Sequence, residues 1–203
     1  MGAHGAASHP MTRRKAETKV EISTDKSRWS PALIPGPLVL ITSLSSRGEP
    51  HAARKSWLTV VSSSPPMLAL SCSLSHRTAI NILETREFVV NVPGAELAVK
   101  AWAAADAVEP ETPAPAWSFA GSSRVAAPRL QECRGHLECV LDSVKRIGEQ
   151  DVVFFARIVA ASLDESIVRA QPEERYRLLR SIVFLERDLY GVIEAVRRTP
   201  AGR

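Results

Sequence analysis

Hydrophobic and polar positions change period several times along the chain. From Pro37 to Ser43, PLVLITS is a run of apolar and β-branched residues that predicts a strand, closed by the turn-forming stretch SSRGEP. His51 to Val61 predicts a second strand, with Trp57, Thr59 and Val61 on one face. SSSPP ends it, because paired prolines cannot donate to a ladder. MLALSCS, Met67 to Ser73, predicts a third strand whose near-continuous apolar centre suits burial.

The period lengthens in SHRTAINILETREF. Ile80, Leu83 and Phe88 suit one helical face, while Asn81, Glu84 and Arg86 suit the other. Ser75 or Thr78 is the expected N-cap. FVVNVP, Phe88 to Pro93, returns to strand, and ELAVKAWAAADA predicts a short Ala-rich helix. Residues 107–128 are rich in Pro, Ala and Ser and predict a long surface loop. Leu137, Cys139 and Leu141 alternate with polar partners, and Asp151 to Leu163 predicts a long apolar strand after the turn IGEQD. Residues 172–180 predict a helix, SIVFL a last strand and DLYGVIEAV a closing segment. Many strands, few helices and short turns predict a mainly β protein, an antiparallel barrel with a few peripheral helices, rather than βαβ units.

Composition narrows the picture. The chain has 203 residues, enough for one domain with tails, and needs no disulfide or metal to hold its core. The expected division is a basic, disordered arm over 1–24, a folded domain over 25–193 and a basic tail over 194–203. The net charge is +4, yet residues 1–20 carry +3 and residues 197–203 another +3, so 21–196 is slightly acidic. Basicity at the ends, with only 5% aromatic residues, argues against a nucleic-acid binder. No run of 18 apolar residues exists, and the N-terminal stretch lacks the apolar centre of a secretory signal. Three cysteines form no disulfide framework. A cytoplasmic, reducing location is expected, with no membrane partner.

Candidate chemistry begins with absences. There is no GxGxxG, no GxxxxGK[ST] and no GxSxG, which disfavours a Rossmann enzyme, a P-loop NTPase and an α/β-hydrolase. Cys133, His136 and Cys139 share a metal-like spacing, but on a strand the two cysteines face one way and His136 the other. Two small core residues and a surface His are the expectation, with no metal. SHRTAINI carries more. Ser71 and Ser73 end a buried strand, and His76, Arg77 and Thr78 open a helix whose N–H groups and Arg77 fork suit phosphate oxygens.

The ordered series PGPLVLITSLSSRGEPHAARKSW, VVSSSPPMLALSCS and HRTAINILETREFVVNVP resembles the flavin reductase-like family of FMN-binding split barrels. Thr42, Ala53, Ser56, Trp57, Ser62, Pro65, Pro66, Thr78, Asn81, Ile82, Phe88, Val89, Val90 and Asn91 match that family's pattern in order. The likeness runs over residues 30–191. It implies a six-stranded split barrel with flavin at a homodimer interface. It also implies a phosphate on Ser73, His76, Arg77 and Thr78, an isoalloxazine beside Ser56, Trp57, Leu58 and Thr59, and Ser71 and Cys72 beneath the cofactor. His51, Arg54, Lys55 and Ser118 depart from the family's usual residues.

The function implied is flavin reduction. NAD(P)H would pass hydride to N5 of FMN, with FAD as the alternative flavin, and reduced flavin would serve an acceptor or a partner monooxygenase. His51 and the 107–128 loop are candidates to cover the open face of the ring. The flavin carries such chemistry, so no catalytic acid or base is expected. The competing reading is a flavoredoxin-like electron carrier without its own NAD(P)H site.

Overall fold

The computed structural model describes residues 18–24, 34–104 and 115–199. The chain divides into two units, 1–30 and 31–203. In the first, residues 18–24 form no helix or strand and are mostly exposed. Residues 1–17 of the expected arm, 105–106 at the end of the expected Ala-rich helix, 107–114 of the expected loop and 200–203 of the expected tail lie outside the described residues.

The second unit contains, in order, β1 (Gly36–Pro37), β2 (Val39–Leu44), β3 (Pro50–Lys55), β4 (Leu58–Ser63), β5 (Pro66–Ser73), α1 (Arg77–Thr85) and β6 (Glu87–Val92). A 3-10 turn (Ala95–Leu97) leads to α2 (Ala98–Trp102), then come β7 (Phe119–Ala120), β8 (Arg129–Leu130), β9 (Gly135–Ile147) and β10 (Asp151–Leu163). α3 (Glu165–Arg169), α4 (Pro172–Leu179), β11 (Ile182–Glu186) and β12 (Leu189–Val192) follow. The protein is mainly β, with antiparallel pairing throughout the described ladders.

The main sheet runs β3-β2-β6-β9-β10-β5-β4. Its two edge strands, β3 and β4, are neighbours in sequence, separated only by Ser56 and Trp57. Three peptide steps reach at most about 11 Å. The two edges must therefore approach, and the sheet curls into an open barrel with a seam at Ser56 and Trp57. This corrects the expectation of one strand from His51 to Val61. The run is two strands on opposite edges, because its first half pairs with β2 and its second half with β5. Gly36 packs against the seam so closely that a Cβ there would sit 2.4 Å from the Ser56 carbonyl oxygen.

Alternation builds the interior. Val39 and Ile41 of β2, Leu68, Leu70 and Cys72 of β5, and Phe88 and Val90 of β6 are buried together. Cys139 and Leu141 of β9 and Val152, Phe154 and Ala156 of β10 complete this core, and Ala79 and Ile82 of α1 pack into it. The helix turns its faces differently from the expectation. Thr78, Ala79, Asn81 and Ile82 are buried, while Ile80 and Leu83 are exposed. Asn81 goes inward because its amide donates to the Ser43 hydroxyl at 3.0 Å, which satisfies it. The N-cap is His76, neither Ser75 nor Thr78, and its side chain makes no capping hydrogen bond.

A second core, on the outer face of the sheet, joins Leu38, Leu40 and Ala52 to α2, Leu130, Cys133 and Ile182. Cys133 and Cys139 thus lie in different cores and do not share a face, because Cys133 precedes β9. Burial pushes both thiols up to about 12, so neither is a thiolate near neutrality. His136 is half-buried rather than superficial: its Nε2 lies 2.9 Å from the Leu130 carbonyl and its Nδ1 3.2 Å from the Ser162 hydroxyl. No cluster of metal-ligating residues exists among the described residues. No described helix is long and apolar enough to cross a membrane.

The described part of the 107–128 segment is structured. β7 pairs with β8, and the Ser123 and Arg124 amides donate to the buried Glu138 carboxylate at 2.6–3.0 Å. The closing segment of the chain also has a defined place, since β11 pairs with both β1 and β12 in a separate three-stranded sheet of order β1-β11-β12.

Candidate functional site

At the barrel seam lies a cleft of about 480 Å³, within the ~300–1,000 Å³ range of small-molecule sites. Two walls flank it. One comes from the end of β5 (Ser71, Cys72, Ser73), His76 before α1 and Asp151 at the start of β10. The other comes from Leu38, from Phe184 on β11 and from Arg187 in the β11–β12 turn. Arg54, Lys55, Ser56 and Trp57 line the seam between them.

Register explains the first wall. Ser73 pairs with Asp151 and Cys72 with Val152. The Ser71 amide donates to the Trp57 carbonyl at 2.9 Å, just beyond the β4–β5 ladder. Ser73 Oγ lies 2.9 Å from Ser75 Oγ, and the His76 amide donates to the Ser73 carbonyl at 3.1 Å. These contacts turn the chain from strand into α1 beside the cleft. No acidic residue occupies the first turn of α1, so the positive end of its dipole is not neutralised there.

The electrostatics favour an anion. Arg54, Lys55 and Arg187 line the cleft against one carboxylate, Asp151. Lys55 is almost fully buried, and its Nζ lies 2.9 Å from His76 Nδ1. An ammonium can only donate, so His76 Nδ1 accepts and its remaining proton sits on Nε2. Arg54 packs its guanidinium 4.6 Å from the centroid of the Trp102 ring and donates from Nη1 to the Trp102 carbonyl. Burial holds the Arg54 pKa below its ordinary value. Trp102 in turn stacks on Phe184 at 5.7 Å and meets Tyr190 at 6.1 Å.

Of the residues expected at the site, Ser56, Trp57, Ser71, Cys72, Ser73 and His76 come together in this cleft. Leu58, Thr59, Arg77 and Thr78 are not among its lining residues. Leu58 packs on the barrel interior, Thr59 is exposed on β4, Arg77 is half-buried at the first residue of α1, and Thr78 is fully buried. Several residues that carry the family likeness are structural. The Asn91 amide donates to the Thr42 hydroxyl and the Leu40 carbonyl, and its oxygen accepts from the Leu130 amide. Asp151, Phe184 and Arg187 were not legible as cleft residues, because they come from segments distant in sequence and sit in no motif, and Leu38 lies in the PLVLITS run with nothing to mark it as a cleft residue. Arg54 and Lys55 did carry a signal, as charges on a strand where the family has small or apolar residues.

The open barrel and its seam cleft define a class, a mainly β split barrel. A sequence profile of the flavin reductase like domain matches residues 32–179, and the chain belongs to that family. A Bacillus subtilis protein of uncharacterised function, YwrF, is 32% identical over 155 residues, which cover 70% of this chain and 75% of that one. Among solved structures, the Pseudomonas fluorescens 2-nitrobenzoate 2-nitroreductase NbaA is similar with a TM-score of 0.74 at 25% identity, covering 83% of this chain and 86% of that one. Flavoredoxin from Methanosarcina acetivorans has a TM-score of 0.75 at 20% identity, covering 91% and 96%.

Proposed function

We propose that the seam cleft binds FMN, and that the protein is a flavin reductase whose hydride donor is NAD(P)H. The cleft itself carries this reading: it joins an apolar wall to a cationic floor beside a helix N-terminus, which suits a flat ring with a phosphate tail. FMN supplies, when bound, the capacity to accept a hydride and pass electrons onward. The chain's own residues do the rest. Ser73 and His76 hold the phosphate, with Arg77 and Thr78 at the start of α1 contributing charge and helix amides. Lys55 fixes the His76 tautomer, so that Nε2–H donates. Ser56 and Trp57 bring backbone and side chains to the ring, Leu58 and Thr59 bring backbone alone, and Ser71 and Cys72 lie below it. Leu38 excludes water from its apolar side.

We infer a homodimer as well. Trp57, Val60 and Val61, on and next to edge strand β4, are 53%, 64% and 46% exposed, a concentration of apolar surface that a second copy would cover. The reduced flavin would then serve an electron acceptor, a partner monooxygenase being one class, and a cytoplasmic location fits this chemistry. The likeness to flavoredoxin supports the second reading, an electron carrier with no hydride donor of its own.

One assay separates the two. Purified protein should show flavin absorbance after incubation with FMN and should oxidise NADH or NADPH when flavin is present. Bound flavin with oxidation of neither nucleotide would leave only the carrier.

A further inference from the structure

The cleft holds more positive charge than one flavin phosphate needs. His76 and the start of α1 stand on the β5 side. Arg187 stands with Phe184 on the opposite wall, Arg54 lies on the seam beside Trp102, on which Phe184 stacks, and Asp151 belongs to the β5 side through its pairing with Ser73. Arg54 is held by Trp102 through its backbone carbonyl and its ring, not by a carboxylate. Arg187 is exposed at the β11–β12 turn and, among the described residues, makes no hydrogen bond or ion pair. A guanidinium fork is suited to the oxygens of a phosphate, and two forks suit a phosphomonoester dianion better than a single carboxylate. Phe184, stacked on Trp102 through one face, adds an aromatic surface of the kind a purine packs against.

We propose that Arg54 and Arg187 form a second anion subsite for the 2′-phosphate of an adenosine nucleotide, which makes NADPH the preferred hydride donor over NADH. This deepens the reductase reading and rests on it for the word donor. The subsite itself can be tested without turnover. The local chemistry explains the choice of residues. Arg54 is pre-oriented by its ring contact, so little side-chain freedom remains to be lost on binding. Arg187 sits in a left-handed turn residue, φ 47°, at the tip of a hairpin anchored by β1.

The test is calorimetric titration of the flavin-free and the FMN-loaded protein with 2′,5′-ADP and with 5′-AMP, which differ only by the 2′-phosphate. The wild type should bind 2′,5′-ADP at least ten-fold more tightly. Arg187→Ala, at an exposed position with no hydrogen bond or ion pair to lose among the described residues, should cut the difference below three-fold and leave 5′-AMP affinity unchanged. Arg54→Gln should act alike, and Arg187→Ala decides alone if the Arg54 variant does not fold. Equal affinities in the wild type would overturn the proposal, as would a preference that survives Arg187→Ala. Loss of FMN affinity in Arg187→Ala with nucleotide discrimination intact would also overturn it, by giving this wall to the flavin phosphate. With turnover, Arg187→Ala should lower the NADPH-to-NADH ratio of kcat/KM about ten-fold. Discrimination without oxidation of either nucleotide would keep the subsite and remove the reductase reading.

Discussion

The barrel interior and the outer cleft wall are built on different principles. Inside, Phe88, Phe154, Leu68 and Leu70 are fully buried, and a polar group that enters, Asn81, is satisfied by its hydrogen bond to Ser43. Beside the cleft, Arg54, Phe184 and Tyr190 gather around Trp102, and all four stay at least partly exposed. The interior removes aliphatic surface from water, which is non-directional and stabilises the fold. The wall presents flat rings and cations to a ligand, which is directional and contributes less to stability. The division places binding where side chains remain accessible and stability where they do not.

The sharpest way to break this comparison is a matched pair of truncations. Phe154→Ala should cost about 3–5 kcal/mol, the usual loss for a buried Phe. Phe184→Ala, partly exposed, should cost clearly less. Urea unfolding of both variants measures this, and equal losses would mean that the small sheet is as much a part of the core as the barrel.

The next effect is at Glu138, where a buried carboxylate anchors the loop before β8. Burial by itself would raise its pKa. Hydrogen bonds from the Ser123 and Arg124 amides and the Ser123 hydroxyl, with the charge of Arg129, outweigh that and hold it below the ordinary value. A depressed folded pKa stabilises above the unfolded value of about 4.3 and loses that contribution as pH falls through the folded value. Glu138→Gln should therefore cost about 1–3 kcal/mol at neutral pH. Wild type and variant should converge in acid, and parallel stability curves from pH 7 to 3 would contradict this.

The smallest effect in stability sharpens the contrast from the ligand side. Arg77→Ala should weaken FMN about ten-fold, on the order of 1.4 kcal/mol, while changing the unfolding free energy by under ~0.5 kcal/mol, as expected away from the core. Fluorescence titration and urea unfolding together read both quantities. Unchanged flavin affinity would take the phosphate away from α1.

Much of the barrel was legible in the sequence. The near-continuous apolar run Met67 to Ser73 marked β5, alternation at Leu137, Cys139 and Leu141 marked part of β9, and Asp151 to Leu163 is a strand over the expected span. The helix after β5 was legible, but its buried face was not. Periodicity favours Ile80 and Leu83 inside, while the Asn81–Ser43 hydrogen bond and the packing of Ile82 turn the helix the other way. The break at Ser56 and Trp57 was hidden because both halves of the run have strand composition, and only the pairing partner distinguishes one strand from two. On the cleft, local motifs marked Ser71, Ser73 and His76, whereas Phe184 and Arg187 arrive through the pairing of β11 with β1.

The amino-acid sequence by itself determined the class of fold, the family and the phosphate-suited turn into α1, because periodicity and helix-start chemistry act over a few neighbouring residues. The tertiary structure alone decided where the sheet opens, which face of α1 is buried and which cations meet at the seam. Those outcomes depend on which partner each strand and helix meets, from Val39 with Lys55 and Asn81 with Ser43 to Pro37 with Val183, more than a hundred residues apart. Such contacts are selected by the global balance of burial and hydrogen bonding, and leave no local pattern in the chain.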